Sequence, residues 1–168
     1  MQWEALFNDF ESQLAAAHRS EFDEDVAERI RAEQATVEFA QRCVASRGQS
    51  VRFSLVDGSH IEGTVVDATG TWLLLKDHAT HVLPINAVAA ATGLSERAPR
   101  MSTVMRELAI GHPLRALAAD SRSIVVRTGS GIWRGKCATV GRDYIDMAVD
   151  SGETVTLRLE TVILISTF

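Results

Sequence analysis

The chain has 168 residues, 46% of them hydrophobic and 23% charged, with a net charge of −5. That length suits one or two small domains with an ordinary core, and the lack of an apolar run of about 18 residues argues against a membrane-spanning helix. Met1-Gln2-Trp3-Glu4 carries neither the basic nor the apolar region of a secretory leader, so a cytoplasmic protein is expected.

Charge is unevenly spread. Residues 1–48 hold ten acidic and five basic side chains, 49–99 hold five and three, and 100–168 hold seven and nine. The net charges are therefore −5, −2 and +2, and affinity for an anionic partner is expected in the last part.

Residues 3–17 suit an amphipathic helix with Trp3, Leu6, Phe7, Phe10 and Leu14 on one side. Ser20, with Asp23 or Glu24 after it, predicts the cap of a second helix running from about Asp23 to Arg47 and stopping at Gly48. Val26, Ile30, Val37, Phe39, Ala40 and Val44 make its apolar stripe. The two form a predicted helical hairpin over 1–48. Asp23-Glu24-Asp25 near the start and Arg42 and Arg47 near the end suit the helix dipole. The acidic cluster reads first as a solvated helix start and, more sharply, as a docking surface for a basic partner.

Residues 49–93 change period. Short runs alternate apolar and polar residues between turn residues, which predicts strands. Asp57-Gly58-Ser59 and Ala68-Thr69-Gly70 are the turns, and Gly63 marks a bend inside a strand. Residues 94–121 read as a linker with a short helix from Ser102 to Ile110, capped by Ser102 or Thr103. Gly111-His112-Pro113 is expected to break it, with another short helical turn over Leu114–Ala119.

Residues 122–168 repeat the pattern of 49–93. A shift of 72 places Gly63 on Gly135, Ile61 on Trp133, Val65 on Cys137 and Trp72 on Tyr144. A shift of 74 places Leu83 on Leu157, Ile85 on Leu159 and Val88 on Val162, with the extra residues falling near Ser151-Gly152. Shifts confined to turns are what a repeated fold shows. The expectation is an α+β chain: the helical hairpin, then two tandem small SH3-like β-barrels. One composite barrel or sandwich is the alternative.

The run Phe53 to Ala68, with its strand, turn, strand with central Gly63, and third strand, resembles the first half of an Sm-like domain. His81 to Val88 is similar to that family's closing strands, where the Hfq branch carries a basic tyrosine–lysine–histidine run. Here Pro84 and Ile85, and in the second copy Arg158-Leu159, stand near that run, so the family's RNA-pore residues are not carried over. The chain also resembles an uncharacterised actinobacterial family with a helical N-terminus and barrel-like C-terminal part. The resemblance implies ring-type association through sheet edges.

Signals for chemistry are sparse. The sequence carries no nucleophile elbow, P-loop, dinucleotide fingerprint or zinc-protease motif. His78 and His81, with Asp77, fall in or beside a hairpin turn and are too few for a metal site. Cys43 and Cys137 read as small buried hydrophobes. Asp143 and Asp146, three apart in a strand, point to opposite faces and do not form an acid–base pair. Arg122, Arg127, Arg134, Lys136 and Arg142 lie within 21 positions, and Arg134 and Lys136 share a strand face. Exposed Trp133 and Tyr144 would add base stacking, although both align with apolar positions and read first as core.

The expectation is a non-catalytic interaction or assembly module, associating with itself or another protein and using no cofactor or metal. The alternative is an RNA-binding regulator working through Arg127, Arg134, Lys136 and Arg142.

Overall fold

The structure is a computed structural model and describes residues 2–120 and 122–167, with side chains from Ser12 onward. The chain divides into two compact units, one up to Val37 and one over 38–168.

The first unit is a helix, α1 (Gln2–Gln34). The sequence predicts two helices meeting near residue 20, but one continuous helix forms. Its sequence holds no Gly or Pro, and Ser20 alone does not stop a helix whose neighbours are good helix formers. The predicted stripe Trp3, Leu6, Phe7 and Phe10 lies outside the residues whose side chains are described. Further along, Phe22, Val26 and Ile30 are exposed. No helix among the described residues is long and apolar enough to cross a membrane.

The chain breaks where β-branched Thr36 and Val37 precede a new start. α2 (Phe39–Ala45) opens with a reciprocal cap in which Glu38 N–H donates to Gln41 Oε1 at 2.7 Å. The predicted second helix, Asp23 to Arg47, is therefore divided: its first part continues α1 to Gln34 and its last part is the seven-residue α2.

Ten strands follow: β1 (Ser50–Leu55), β2 (His60–Ala68), β3 (Trp72–Lys76), β4 (Thr80–Pro84), β5 (Val88–Thr92), β6 (Ser123–Thr128), β7 (Gly131–Val140), β8 (Tyr144–Val149), β9 (Thr154–Arg158) and β10 (Val162–Thr167). Two short helices lie between the halves, α3 (Thr103–Glu107) and α4 (Gly111–Ala119). Ser102 caps α3 as expected, accepting from Met105 N–H at 3.2 Å. The predicted break at 111–113 is instead the start of α4, because proline is tolerated in a helix's first turn.

All ten strands form one antiparallel sheet in the order β5-β1-β2-β3-β4-β10-β6-β7-β8-β9. The sheet is open, with β5 and β9 at its ends, which corrects the expectation of closed barrels. Instead of closing each half on itself, β4 of the first half pairs with β10 of the second, Val82 facing Ile165 and His81 facing Ser166.

The two five-stranded sets share several features. Each has the strand order fifth-first-second-third-fourth. Irregularities fall between Val65 and Asp67 in β2 and between Cys137 and Thr139 in β7. A 3-10 turn joins the last two strands of each half, Ile85–Ala87 and Leu159–Thr161. A short helix precedes each set: α2 packs on β2 and α4 on β7. At Gly135 a Cβ would stand 2.1 Å from the Ala148 carbonyl oxygen, so only glycine lets β7 approach β8 there.

Two apolar clusters fill the two halves, and they exchange residues. The first gathers Phe53, Leu73, Leu75 and Leu83 but also takes Ile163 and Leu164 from β10. The second gathers Ile124, Val126, Ile145 and Met147 but also takes Trp72 and Val82 from β3 and β4. Side chains alternate across a strand, so β3 and β4 send one face to each cluster. All six residues of β10 are buried.

Ile165 is fully buried at the joint. Ile165→Ala is expected to cost about 2–5 kcal/mol and to lower the unfolding of both halves in a single transition, read by urea denaturation with a reporter in each half. Two separate transitions would show that the halves do not share one core.

Candidate functional site

The four candidate nucleic-acid residues do not converge as one free patch. Arg127, on β6, reaches the first half's β1–β2 turn, donating to Ser59 Oγ at 2.6 Å and lying 3.5 Å from Asp57. Its charge is engaged between the halves. Asp57 is held below the usual carboxylate range, chiefly by hydrogen bonds from the Ser59 hydroxyl and N–H, with Arg127 adding to them. Arg134 and Lys136 share the exposed face of β7, as their alternation predicts, and among the described residues neither forms an ion pair. Arg142 stands at the far end of β7, in the β7–β8 turn. Trp133 is half-buried, its indole N–H 3.4 Å from Thr128 Oγ1, while Tyr144 is exposed rather than core.

Arg142 instead lines a cavity of about 510 Å3 at the seam of the two halves. Gly70-Thr71 and Pro84–Asn86 come from the first half, Arg142-Asp143 and Leu159-Glu160 from the second, and Ala109-Ile110 from the linker. The two halves contribute corresponding positions: Gly70 and Arg142 are 72 apart, Asn86 and Glu160 are 74 apart. The linker is fastened to this seam. Gly70 N–H donates to the Met105 carbonyl at 2.9 Å and Thr71 Oγ1 to the Leu108 carbonyl at 2.5 Å. A Cβ at Gly70 would lie 2.2 Å from the Arg106 carbonyl oxygen, so glycine is required for that approach. The repeat alignment pointed to the paired turns, but no local signal in the sequence marks Ile110.

A second polar constellation lies on the β4·β10 joint. His81 Nδ1 is 2.8 Å from Ser166 Oγ and its Nε2 is 3.0 Å from Asp77 Oδ1. The order of groups is that of a nucleophilic triad. Yet Ser166 and His81 are both buried in the sheet, and neither lines the seam cavity or the groove beside β9. What the chain of bonds does is satisfy a buried histidine and tie the two halves together.

Among the described residues no cluster of three metal-ligating side chains occurs. Burial pushes the Cys43 thiol up to about 12, with Arg42 pulling the other way. Burial also raises Cys137, and Asp146 adds to the shift. Neither thiol is activated toward nucleophilic chemistry. The sheet also carries a groove of about 490 Å3 beside the open edge β9, lined among others by Trp133, Val149, Glu153 and Val155.

No protein-family model matches the sequence, and neither does any curated protein.

Asp77 is held below the usual carboxylate range, first by the Ala79 N–H and then by His81, against a desolvation that raises it. A depressed folded pKa stabilises the fold above the ordinary carboxylate range, and that stabilisation is lost as pH falls through the folded value. Asp77→Asn is therefore expected to be less stable than wild type at neutral pH. Its urea midpoint should fall less steeply below about pH 4. Parallel profiles in acid would remove Asp77 from the coupling.

Proposed function

We propose that the chain is a non-catalytic interaction module built on two tandem Sm-like units, which recruits another polypeptide by strand addition at its open sheet edges. The observation that carries this reading is the β4·β10 joint. The edge of one half is completed by a strand of the other, in antiparallel register. The matching strand order, bulges and 3-10 turns of the halves support the duplicated unit. By correspondence, the first half leaves β5 open where the second half presents β10, and the second half leaves β9 open where the first presents β4.

Both edges suit pairing. β5 reads Val-Ala-Ala-Ala-Thr and β9 Thr-Val-Thr-Leu-Arg; neither contains proline or lysine, the usual guards of an exposed edge. In β9 the bonding of Val149 N–H to Glu153 and of Leu159 N–H to Asp143 sets the alternation. Thr154 and Thr156 then point their N–H groups out of the sheet, free to bond an added strand.

The test uses a fluorescent peptide with the β10 sequence, and the variants Ala91→Pro and Thr156→Pro, which remove an outward N–H from each edge. The wild-type chain is expected to take up the peptide, with hydrogen-exchange protection of an edge strand. Each variant should keep its fold and lose protection at its own edge. A wild-type chain that protects neither edge sinks the proposal.

A second reading, RNA binding, draws on Arg134 and Lys136, both exposed and outside any ion pair among the described residues. It predicts binding to mixed short RNAs that weakens with salt, with a log–log slope near −0.7 per phosphate contact. Arg134→Ala/Lys136→Ala should flatten that slope by about 1–2. No binding at low salt removes this reading.

A further inference from the structure

Resting on that reading, we infer that the β9 edge takes an extended segment of a partner protein bearing a large apolar residue opposite Val155, rather than β5 of a second copy.

The internal joint is the template. There, β4 receives β10 with His81 facing Ser166 and Val82 facing Ile165. At β9 the corresponding residues are Val155 and Thr156. The buried His81 needs a polar partner and finds the Ser166 hydroxyl at 2.8 Å. Val155 needs the opposite. It is half-buried beside Trp133 and Val149 in the groove of about 490 Å3, all three packed at the rim of the second cluster with no strand covering them. An added strand in the same register aims one side chain into that groove, and an apolar one would complete the burial.

The chain's own free edge does not supply it. In the same register β5 sets Thr92 against Val155 and Ala91 against Thr156, leaving the groove largely unfilled. The other face of the edge also argues against a second copy. Trp72, Leu74 and Val82 carry the internal joint's apolar face into the second cluster, and Pro84 on the same strand face is buried. Their counterparts are Tyr144, Asp146, Thr156 and Arg158, three of them exposed and Asp146 accepting from Thr156 at 2.6 Å. Docking a whole second copy there would bury these polar groups where the internal joint buries apolar ones, at a desolvation cost. A lone strand covers the groove and leaves that face in water.

The probes are three synthetic peptides flanked by lysines: the β10 sequence Val162–Thr167, the same with Ser166→Leu, and the β5 sequence Val88–Gly93. Binding to the full chain is followed by anisotropy, and its place by hydrogen exchange. The Ser166→Leu peptide is expected to protect Thr154–Arg158 and to bind about tenfold tighter than either other peptide, the gain a buried leucine supplies. Val155→Asp should erase that gain. Should Val155→Asp fail to fold, Thr156→Pro, which removes an outward N–H together with the Thr156 hydroxyl bonded to Asp146, should abolish β9 protection by every peptide. Equal affinities, or light scattering that shows copies joined with Ala91 opposite Thr156 in cross-linking, would overturn the inference and leave the interaction module standing. Protection of neither edge by any peptide, with no association of copies, would overturn both.

Discussion

The pairing of β4 with β10 is the interaction on which the rest depends. It turns two five-stranded sets into one ten-stranded sheet, and it does so with side chains as well as backbone. β10 sends Ile163 and Leu164 into one cluster and Val162 and Ile165 into the other, while Trp72 and Val82 cross in the opposite direction. Neither core is complete without the other half. The Asp77–His81–Ser166 chain sits on the same joint, and its His81–Ser166 bond forms only once the two halves have met.

That joint also explains where the two halves differ. Positions that shape each half alone keep their character: Gly63 with Gly135, Leu73 with Ile145, Leu83 with Leu157. Positions on the outer face of the third and fourth strands do not. In the first half they meet a neighbour and are apolar; in the second they meet water and are polar, Trp72 against Tyr144 and Val82 against Thr156. The same holds for the fifth strands. β10 is flanked on both sides and carries Ile, Leu and Ile, whereas β5, an outer strand, carries alanines. Groove and polar face together make the β9 edge unlike the β4 edge it corresponds to.

Several features were legible residue by residue. The turns at Asp57-Gly58 and Ser151-Gly152 were, because both Gly58 and Gly152 adopt the positive φ that glycine alone takes without strain. So was the Ser102 cap. The helix boundaries were not. Ser20 resembles a cap in sequence, but capping requires the chain to leave the helix, and nothing around it forces that. Pro113 resembles a breaker, yet at a first turn its missing N–H costs nothing. The basic residues show the same limit. Arg134 and Lys136 share a face as spacing dictates, whereas Arg127 is taken by Asp57 and Ser59, residues 70 and 68 positions away. Sequence spacing carries no record of that distance.

The sequence by itself determined the alternation of side chains and the places where the chain turns. These are local properties, set by the two-residue period of a strand and by glycine's freedom. Only the tertiary structure decided that the sheet stays open and that β4 chooses β10. It alone decided that Arg142 looks into a seam, and that a half-covered groove runs beside β9. Those outcomes turn on which surfaces lose water together, a property of pairs of residues far apart in the chain.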